Sequence, residues 1–153
     1  MKNARGFTAI ELMVTLAVVG ILVSIAAPSF NIMIQNNRMT TRANDLVTAL
    51  QLARSEAIKR GTAVTVTATG GNWNSGWTVA TGGTDLRVYP AAAGTITFTE
   101  TGGKATVSYQ SNGIAAGGPL TMNVCDSGRT GETGRQITVL LSGRVSMANF
   151  ICG

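Results

Sequence analysis

Glu11 is a carboxylate at the start of an apolar segment, residues 12–27, that contains no charged side chain. An ionisable side chain at membrane depth costs roughly 2.5–3.5 kcal/mol on insertion scales, so it is retained where it has a partner or a function. A basic leader with Lys2 and Arg5 precedes the segment, and Gly6-Phe7 joins the two. The pattern predicts a membrane-inserted helix whose carboxylate has such a partner or function.

Two simpler interpretations of this N-terminal segment are also open. An ordinary secretory signal peptide would use Lys2 and Arg5 as its basic region and Ser24-Ile25-Ala26 as its cleavage site. A plain single-span anchor would explain the length of residues 7–30, because about 20 helical residues span roughly 30 Å of hydrocarbon. Neither interpretation accounts for a glutamate four residues after the phenylalanine of a Gly-Phe pair.

Residues 6–11, with the sequence GFTAIE, resemble the class III signal of type IV prepilins. In that family a dedicated peptidase cuts after the glycine and N-methylates the new first residue. The resemblance implies cleavage between Gly6 and Phe7, N-methylation of Phe7, and a mature chain whose fifth residue is Glu11. It also implies that the N-terminal amine of a neighbouring subunit neutralises Glu11 and fixes the axial register of a filament.

The first 60 residues have a helical pattern in two parts. After the apolar run, Pro28 removes a backbone donor and predicts a kink. The next segment is amphipathic, with apolar residues at three- and four-residue steps, namely Met39, Ala43, Leu46, Leu50, Ala53 and Ala57. Gly61 predicts the C-cap. One prediction is an unbroken helix over residues 7–60, and the competing one is a break near Asn36-Asn37 with Thr41 as a new cap.

From residue 62 the apolar residues alternate with a period of two, which is typical of β-strands. Turn signals such as Asn112-Gly113 and Ser142-Gly143 separate the segments. The predicted strands are residues 62–68, 76–81, 86–89, 95–99, 105–110, 120–125, 135–141 and 144–148. Their apolar faces need a partner, and the amphipathic helix is the available one. The fold class is therefore α+β: a long N-terminal helix, its first half membrane-embedded, packed on an antiparallel β-sheet.

Short motifs in the β-rich part are similar to those of the GspH/FimT/FimU group of minor pilins and pseudopilins. They are Trp73 with residues 76–79 (GWTV), then residues 123–126 (NVCD), 134–139 (GRQITV) and 142–145 (SGRV). The resemblance implies the pilin fold and a minor type IV pilin, a structural subunit that enters or primes the pilus tip through its hydrophobic helix. Trp73 and Trp77 are expected in the core, with exposure of Trp73 on a turn as the alternative.

The same resemblance implies the domains, location and partners of the chain. Residues 1–6 are the cleaved leader, residues 7–30 the transmembrane and assembly helix, and residues 31–153 the soluble pilin domain. We expect a single-pass protein of the bacterial inner membrane with its domain in the periplasm, later part of a pilus or pseudopilus. The expected partners are other pilins and minor pilins, the prepilin peptidase and the inner membrane.

The two cysteines, Cys125 and Cys152, both lie late in the chain. In a reducing compartment they would be free thiols or half a metal site, whereas in a periplasmic or surface protein such a pair is typical of one disulfide. That bond would close a loop of 28 residues. On the chain-entropy relation it would stabilise the fold by roughly 3–4 kcal/mol. Two unpaired buried cysteines are the alternative.

Nothing in the sequence indicates catalysis. The 153 residues include no histidine, no cluster with metal-ligand spacing and no phosphate-binding glycine loop beside a lysine. The cysteines are too far apart for a CxxC redox motif. We therefore expect no enzymatic activity, no cofactor, no metal and no small-molecule substrate.

Two alternatives to the pilus-tip role are open. Some FimT proteins bind DNA in natural transformation through a C-terminal Gly-Arg-x-Arg motif, and here residues 143–146 are GRVS, without the second arginine. Arg129 and Arg135 would supplement Arg144 in a basic patch for double-stranded DNA if the turns bring them together. The net charge is +5, and it falls to +3 without Lys2 and Arg5 of the leader, which is too small to imply nucleic acid by itself. The other alternative is the H-type pseudopilin of type II secretion.

Overall fold

The computed structural model describes residues 7–153 as one long helix followed by nine strands. The helix, α1, is Ala9–Arg60. The strands are β1 (Val64–Ala68), β2 (Gly76–Thr81), β3 (Thr84–Pro90), β4 (Ile96–Glu100), β5 (Thr106–Tyr109), β6 (Ala115–Ala116), β7 (Leu120–Asp126), β8 (Thr133–Val139) and β9 (Val145–Ile151). Two short 3₁₀ turns, Thr69–Gly71 and Trp73–Ser75, connect β1 to β2. The described residues divide into two units, residues 7–37 and residues 38–153.

The helix α1 is continuous over 52 residues, through Pro28 and through Asn36-Asn37. The prediction of an unbroken helix is therefore confirmed, and the competing break is not found; the kink at Pro28 stays a prediction. The helix ends before Gly61, whose φ of +65° is a left-handed conformation that glycine adopts without steric cost. In the last turn, Arg60 Nε donates to Glu56 Oε2 at 2.5 Å, a favourable pairing at i and i+4.

The strands form two antiparallel sheets rather than the single sheet predicted. The five-stranded sheet has the order β3-β2-β1-β5-β6, and the four-stranded sheet has the order β4-β7-β8-β9. The chain leaves the first sheet after β3 to form β4, returns for β5 and β6, and then completes the second sheet. Alternating apolar residues predict strands but carry no information about which strands pair, so the division was not visible in the sequence.

Most strand predictions agree with the structure to within a few residues, and β2 has the predicted bounds of residues 76–81. The exception is β6, which was not predicted because two residues, Ala115–Ala116, contain no measurable alternation. The strand β9 extends three residues further than predicted, to Ile151, because its pairing with β8 continues up to Thr133.

Within residues 38–153, the core lies between the second part of α1 and the two sheets. All six apolar residues predicted on the buried helix face are buried, together with Ala49. Burial of a leucine such as Leu46 or Leu50 stabilises the fold by about 1.5–3 kcal/mol. Four alanines, Ala43, Ala49, Ala53 and Ala57, make up most of the rest of this buried face.

The two tryptophans are core residues, as predicted. Trp77 is fully buried, stacks on Tyr89 at 5.5 Å between ring centroids, and contacts Phe98 edge-on at 5.2 Å. Since Trp77 lies on β2 and Phe98 on β4, this contact joins the two sheets. Trp73 is also buried, and its indole N–H donates to the Lys104 carbonyl at 2.8 Å. Its exposure on a turn, the alternative, is therefore not found.

Candidate functional site

The apolar side chains of α1 before residue 38 are exposed within the described part of the chain. Phe7, Leu22 and Phe30 are 83%, 60% and 63% exposed. The most apolar 18-residue window of α1 has a mean hydropathy of 2.4, and none of it is buried. Among residues 7–153, α1 is the helix long and apolar enough to cross a membrane. A surface of this kind needs lipid or other apolar helices to cover it.

The first turn of α1 is closed by a reciprocal cap between Thr8 and Glu11. The Thr8 backbone N–H and the Thr8 hydroxyl both donate to Glu11 Oε2 at 2.8 Å, and the Glu11 N–H donates to Thr8 Oγ1 at 3.3 Å. This is a capping box, in which a threonine at the N-cap and a glutamate at N3 satisfy each other's backbone donors. The Thr-x-x-Glu signal is visible in the sequence, but sequence reasoning missed it because Glu11 was interpreted only as a residue for contacts between subunits.

The predicted cleavage site lies at the edge of the described chain. Gly6 is outside the described residues, whereas Phe7 is described and exposed. Cleavage after Gly6 and N-methylation of Phe7 therefore stay predictions.

Cys125 on β7 and Cys152 directly after β9 form a disulfide with a Cα–Cα distance of 6.0 Å, as predicted. Because β8 lies between β7 and β9, the bond crosses over β8 at Gly134. A Cβ atom at Gly134 would lie 2.5 Å from Cys152 Sγ and 2.5 Å from the Val124 carbonyl oxygen. A glycine is therefore required below the disulfide, and no sequence signal had identified that requirement.

A carboxylate lies beside this disulfide without forming a metal site. Oxygen and sulfur atoms of Glu132, Cys125 and Cys152 lie within 4.8 Å of one another. The covalent bond between the sulfurs leaves no thiolate to bind a metal. Glu132 instead accepts the Asp126 backbone N–H at 2.8 Å through Oε1, which orders the loop between β7 and β8.

Asp126 at the end of β7 is a buried carboxylate surrounded by donors. It accepts hydrogen bonds from the Thr95 hydroxyl, from the Gly128 N–H at 3.1 Å and from Arg129 Nε at 2.9 Å. The Thr95 hydrogen bond is the largest cause that holds the pKa of Asp126 below its ordinary value, and it outweighs the opposite effect of burial. The Gly128 N–H and Arg129 lower this pKa further. Arg129 therefore has a structural role, as the partner of a buried acid.

The turns do not bring the three predicted arginines together. Arg135 donates to Asn149 Oδ1 at 2.9 Å and to the Gly134 carbonyl at 3.2 Å, whereas Arg144 is exposed in the turn before β9. Arg135 is opposite Asn149 in the ladder, so Arg144 lies about five residues away along it, roughly 17 Å at 3.4 Å per residue. Arg129 lies in the loop between β7 and β8, at the end of β8 that is opposite to the turn with Arg144. The predicted single basic patch is therefore not assembled.

Arg54 on α1 holds the turn that presents Arg144. Its Nε donates to the Gly113 carbonyl at 3.1 Å and its Nη2 to the Ser142 carbonyl at 3.2 Å. Gly143 follows directly, with φ of +75°, and a Cβ there would overlap the Gly113 carbonyl oxygen. The glycine of the GRVS segment is thus explained by close packing of two turns. No sequence signal had identified this role of Arg54.

Comparison with known proteins agrees with this architecture. The family model for the type II transport protein GspH matches residues 42–143, and that for the prokaryotic N-terminal methylation motif matches residues 1–27. A fimbrial protein of Pseudomonas aeruginosa is 34% identical over 115 residues, which cover 71% of this chain and 74% of the relative.

Two crystal structures of the type IV minor pilin FimU from Pseudomonas aeruginosa are similar in fold. The first superposes with a TM-score of 0.65 and 27% identity over 74% of this chain and 90% of FimU. The second, from another crystal form, gives a TM-score of 0.61 and 26% identity over 71% of this chain and 91% of FimU.

A long helix with an uncovered apolar first half, followed by antiparallel sheets that pack on its second half, defines the pilin class of proteins. With two family models and the FimU likeness, this chain belongs to the GspH family and is a minor type IV pilin or pseudopilin of the FimU type. Proteins of this class are structural, associate with other pilins and are processed by a prepilin peptidase at the N-terminal methylation motif.

Proposed function

We propose that this chain enters or primes the tip of a type IV pilus, with residues 7–30 as its membrane and assembly helix. The observation that carries the proposal is the exposed apolar surface of α1 before residue 38, with a single carboxylate in its first turn. Before assembly the inner membrane covers this surface, with the domain of residues 31–153 in the periplasm. After assembly the corresponding helices of neighbouring pilins cover it.

Glu11 supplies the contact that sets the axial register in this proposal. Both Thr8 donors bind Oε2, and within residues 7–153 no hydrogen bond is found to Oε1. An ionised carboxylate accepts through both oxygens, so a neighbouring subunit's N-terminal amine binds Oε1 while the cap stays intact. The capping box fixes the rotamer of Glu11 before the partner arrives, which lowers the entropy lost on pairing.

The amine in this contact is created by processing. Cleavage between Gly6 and Phe7 converts an amide into a positively charged terminal amine on Phe7, and N-methylation keeps that charge. An uncleaved chain would lack the amine and would carry Lys2 and Arg5 in its leader. Processing is therefore required before this subunit can supply the positive partner in a filament.

Two substitutions separate the charge of Glu11 from its role in the cap. Glu11→Gln keeps an oxygen that accepts the Thr8 hydrogen bonds but removes the charge, whereas Thr8→Ala removes the hydroxyl and keeps the charge. The assay is the amount of this subunit in sheared filaments relative to the membrane fraction. We expect about a tenfold decrease for Glu11→Gln, equivalent to roughly 1.4 kcal/mol, and a smaller decrease for Thr8→Ala.

Gly6→Leu is the processing control, since it should leave an uncleaved mass in the membrane and no subunit in filaments. Incorporation of Glu11→Gln at the wild-type level, with normal cleavage, would refute the register contact. Loss of incorporation in Thr8→Ala alone would assign the function of Glu11 to the cap instead.

The geometry favours assembly over DNA uptake. Of the three arginines predicted to contact DNA, Arg129 pairs with Asp126 and Arg135 with Asn149, which leaves Arg144 as the exposed cation. One exposed arginine supplies a single phosphate contact, whereas DNA-binding proteins typically neutralise several phosphates.

A further inference from the structure

The outer edge of β9 is an unprotected sheet edge in the four-stranded sheet. β9 pairs only with β8 among the described strands, and Val145–Ile151 contains no charged residue and no proline. Five of its seven residues are exposed, among them Met147 at 39% and Ile151 at 65%. Such an edge presents backbone donors and acceptors to any extended chain that approaches it.

The register shows which backbone groups point outward. The Leu140 N–H donates to the Arg144 carbonyl at 2.9 Å, and the Cys152 N–H donates to the Glu132 carbonyl at 3.0 Å. In an antiparallel ladder the hydrogen-bonded residues of a strand alternate, so the even-numbered residues of this strand bond to β8. The odd-numbered residues therefore direct their N–H and C=O groups away from β8, and these are Val145, Met147, Asn149 and Ile151.

The other sheet edges are protected by devices that β9 lacks. The strand β3 carries Asp85, Arg87 and Pro90 on its edge. On β4 the Phe98 N–H is already bound to Asn74 Oδ1 at 2.6 Å. The fourth edge, β6, has only two residues. Charges, proline, side-chain caps and short strands are the ordinary means of blocking edge-to-edge pairing. Their absence from β9 alone points to a function for this edge.

Both ends of β9 are fixed, so the edge is ordered before any partner binds. The disulfide from Cys152 to Cys125 holds its C-terminal end across β8. At its N-terminal end, Arg54 binds the carbonyls of Gly113 and Ser142 and holds the turn. An edge already held in the bound conformation loses little entropy when a strand is added.

We propose that the β9 edge accepts an extended segment of a different protein chain by β-strand addition. The backbone groups of the four odd-numbered residues supply the hydrogen bonds, and the exposed side chains of Met147 and Ile151 contact alternate apolar residues of the incoming strand. From residue 133 to residue 153 the charged side chains are Arg135 and Arg144, with no carboxylate among them. An antiparallel partner strand therefore carries an acidic residue near its C-terminal end, opposite the exposed Arg144.

A second copy of this chain fits the edge less well. Two β9 strands can pair about a two-fold axis normal to the sheet, with Val145 opposite Ile151. Arg144 would then lie opposite Cys152, and from residue 133 to residue 153 a second copy offers no carboxylate side chain to pair with that arginine. This inference goes beyond the proposed assembly through α1 and does not depend on it.

The test uses the full chain in detergent micelles and a synthetic peptide, acetyl-(Val-Thr)₃-Glu-amide. Fluorescence anisotropy gives the Kd, and amide hydrogen exchange reports protection of Met147, Asn149 and Ile151. Met147→Lys places a charge on the edge, and Met147→Pro removes one outward N–H while leaving the bonds to β8. The matched control is Val88→Lys, at an exposed apolar residue of the protected β3 edge.

We expect saturable binding with new protection of the odd-numbered amides. Met147→Lys and Met147→Pro should raise the Kd at least about tenfold, as blocked edges do, with Val88→Lys near the wild-type value. Melting temperatures check that all variants are folded, and Met147→Lys remains informative if the proline variant does not fold. No saturable binding by the wild type, or equal binding by Met147→Lys, would overturn the proposal. Concentration-dependent dimerisation through β9, or protection of the same amides by a DNA duplex instead of the peptide, would overturn the choice of partner.

Discussion

Replacement of Gly134 by alanine tests the crossing of the disulfide over β8. The added Cβ would lie 2.5 Å from Cys152 Sγ, 2.5 Å from the Val124 carbonyl oxygen and 3.2 Å from Cys125 Sγ. Ordinary contacts for such an atom begin near 3.4 Å, so the disulfide and β7 must both move by several tenths of an ångström. Overpacking of this kind costs roughly 1–3 kcal/mol. If the disulfide cannot close, the loss rises by roughly 3–4 kcal/mol.

Intrinsic tryptophan fluorescence suits the assay, because both tryptophans, Trp73 and Trp77, lie in the β-rich part of the chain. Unfolding in guanidinium chloride in micelles gives the free energy, and mass spectrometry after alkylation shows whether the disulfide is closed. The matched control is Gly102→Ala, since Gly102 also has no left-handed φ and its added Cβ would meet only the Glu100 carboxylate, at 3.3 Å. We expect the control to change stability by less than about 0.5 kcal/mol.

A double-mutant cycle that combines Gly134→Ala with Cys125→Ala/Cys152→Ala separates the energetic cost of the contacts with the sulfurs from the cost of the contact with the Val124 carbonyl. If the sulfurs cause part of the strain, Gly134→Ala costs less in the background without cysteines, by about 0.5–3 kcal/mol of coupling. The reasoning would be refuted by a Gly134→Ala protein that keeps its disulfide and is as stable as Gly102→Ala.

Asp126→Asn should flatten the acid limb of the stability curve. The depressed pKa of the folded carboxyl contributes stability above the pKa of the unfolded carboxyl, and this stability is lost as the pH falls through the folded pKa. The wild type should therefore lose more melting temperature between pH 6 and pH 2 than the variant. Arg54→Ala should cost about 1 kcal/mol and speed amide exchange at Gly143 and Ala115, whereas unchanged exchange would contradict the role of Arg54 in holding the turns. Reduction of the disulfide should lower the free energy of unfolding of the wild type by roughly 3–4 kcal/mol. The same treatment should leave the free energy of unfolding of Cys125→Ala/Cys152→Ala unchanged. Equal stability of the oxidised and reduced wild type would show that the disulfide does not stabilise the fold.

Local patterns were enough to predict much of this fold. The buried stripe from Met39 to Ala57 was found from a period near 3.6, and most strands were found from a period of two, because these patterns record which side of each element faces the core. Gly61 was identified as the helix end because its conformational freedom is a property of one residue. The cysteine pair was predicted once the compartment was inferred, since redox conditions decide whether two thiols pair.

Contacts between distant segments could not be predicted in this way. The separation of β4 from its sequence neighbours depends on strand pairing, which one sequence does not encode locally. The need for glycine at position 134 arises only after β7, β8 and β9 lie side by side and the disulfide crosses them. Arg54 is a charged residue, a type that usually lies at the surface. Its role in holding the turns depends on the Gly113 and Ser142 carbonyls, which are 59 and 88 residues away in sequence.

The strand β9 is held at its two ends by the disulfide and by the Arg54 hydrogen bonds because few of its side chains are buried. Val145 and Phe150 are partly buried and the other five residues of the strand are exposed, so apolar burial contributes little to holding it. Terminal strands with few buried contacts are the segments that open first. The disulfide lowers the entropy of the open state, and the Arg54 hydrogen bonds hold the turn that leads into the strand. A strand that served only to cover the core would be stabilised by buried side chains, whereas β9 is stabilised at its ends and left exposed between them. That arrangement suits a strand whose outer edge binds another chain.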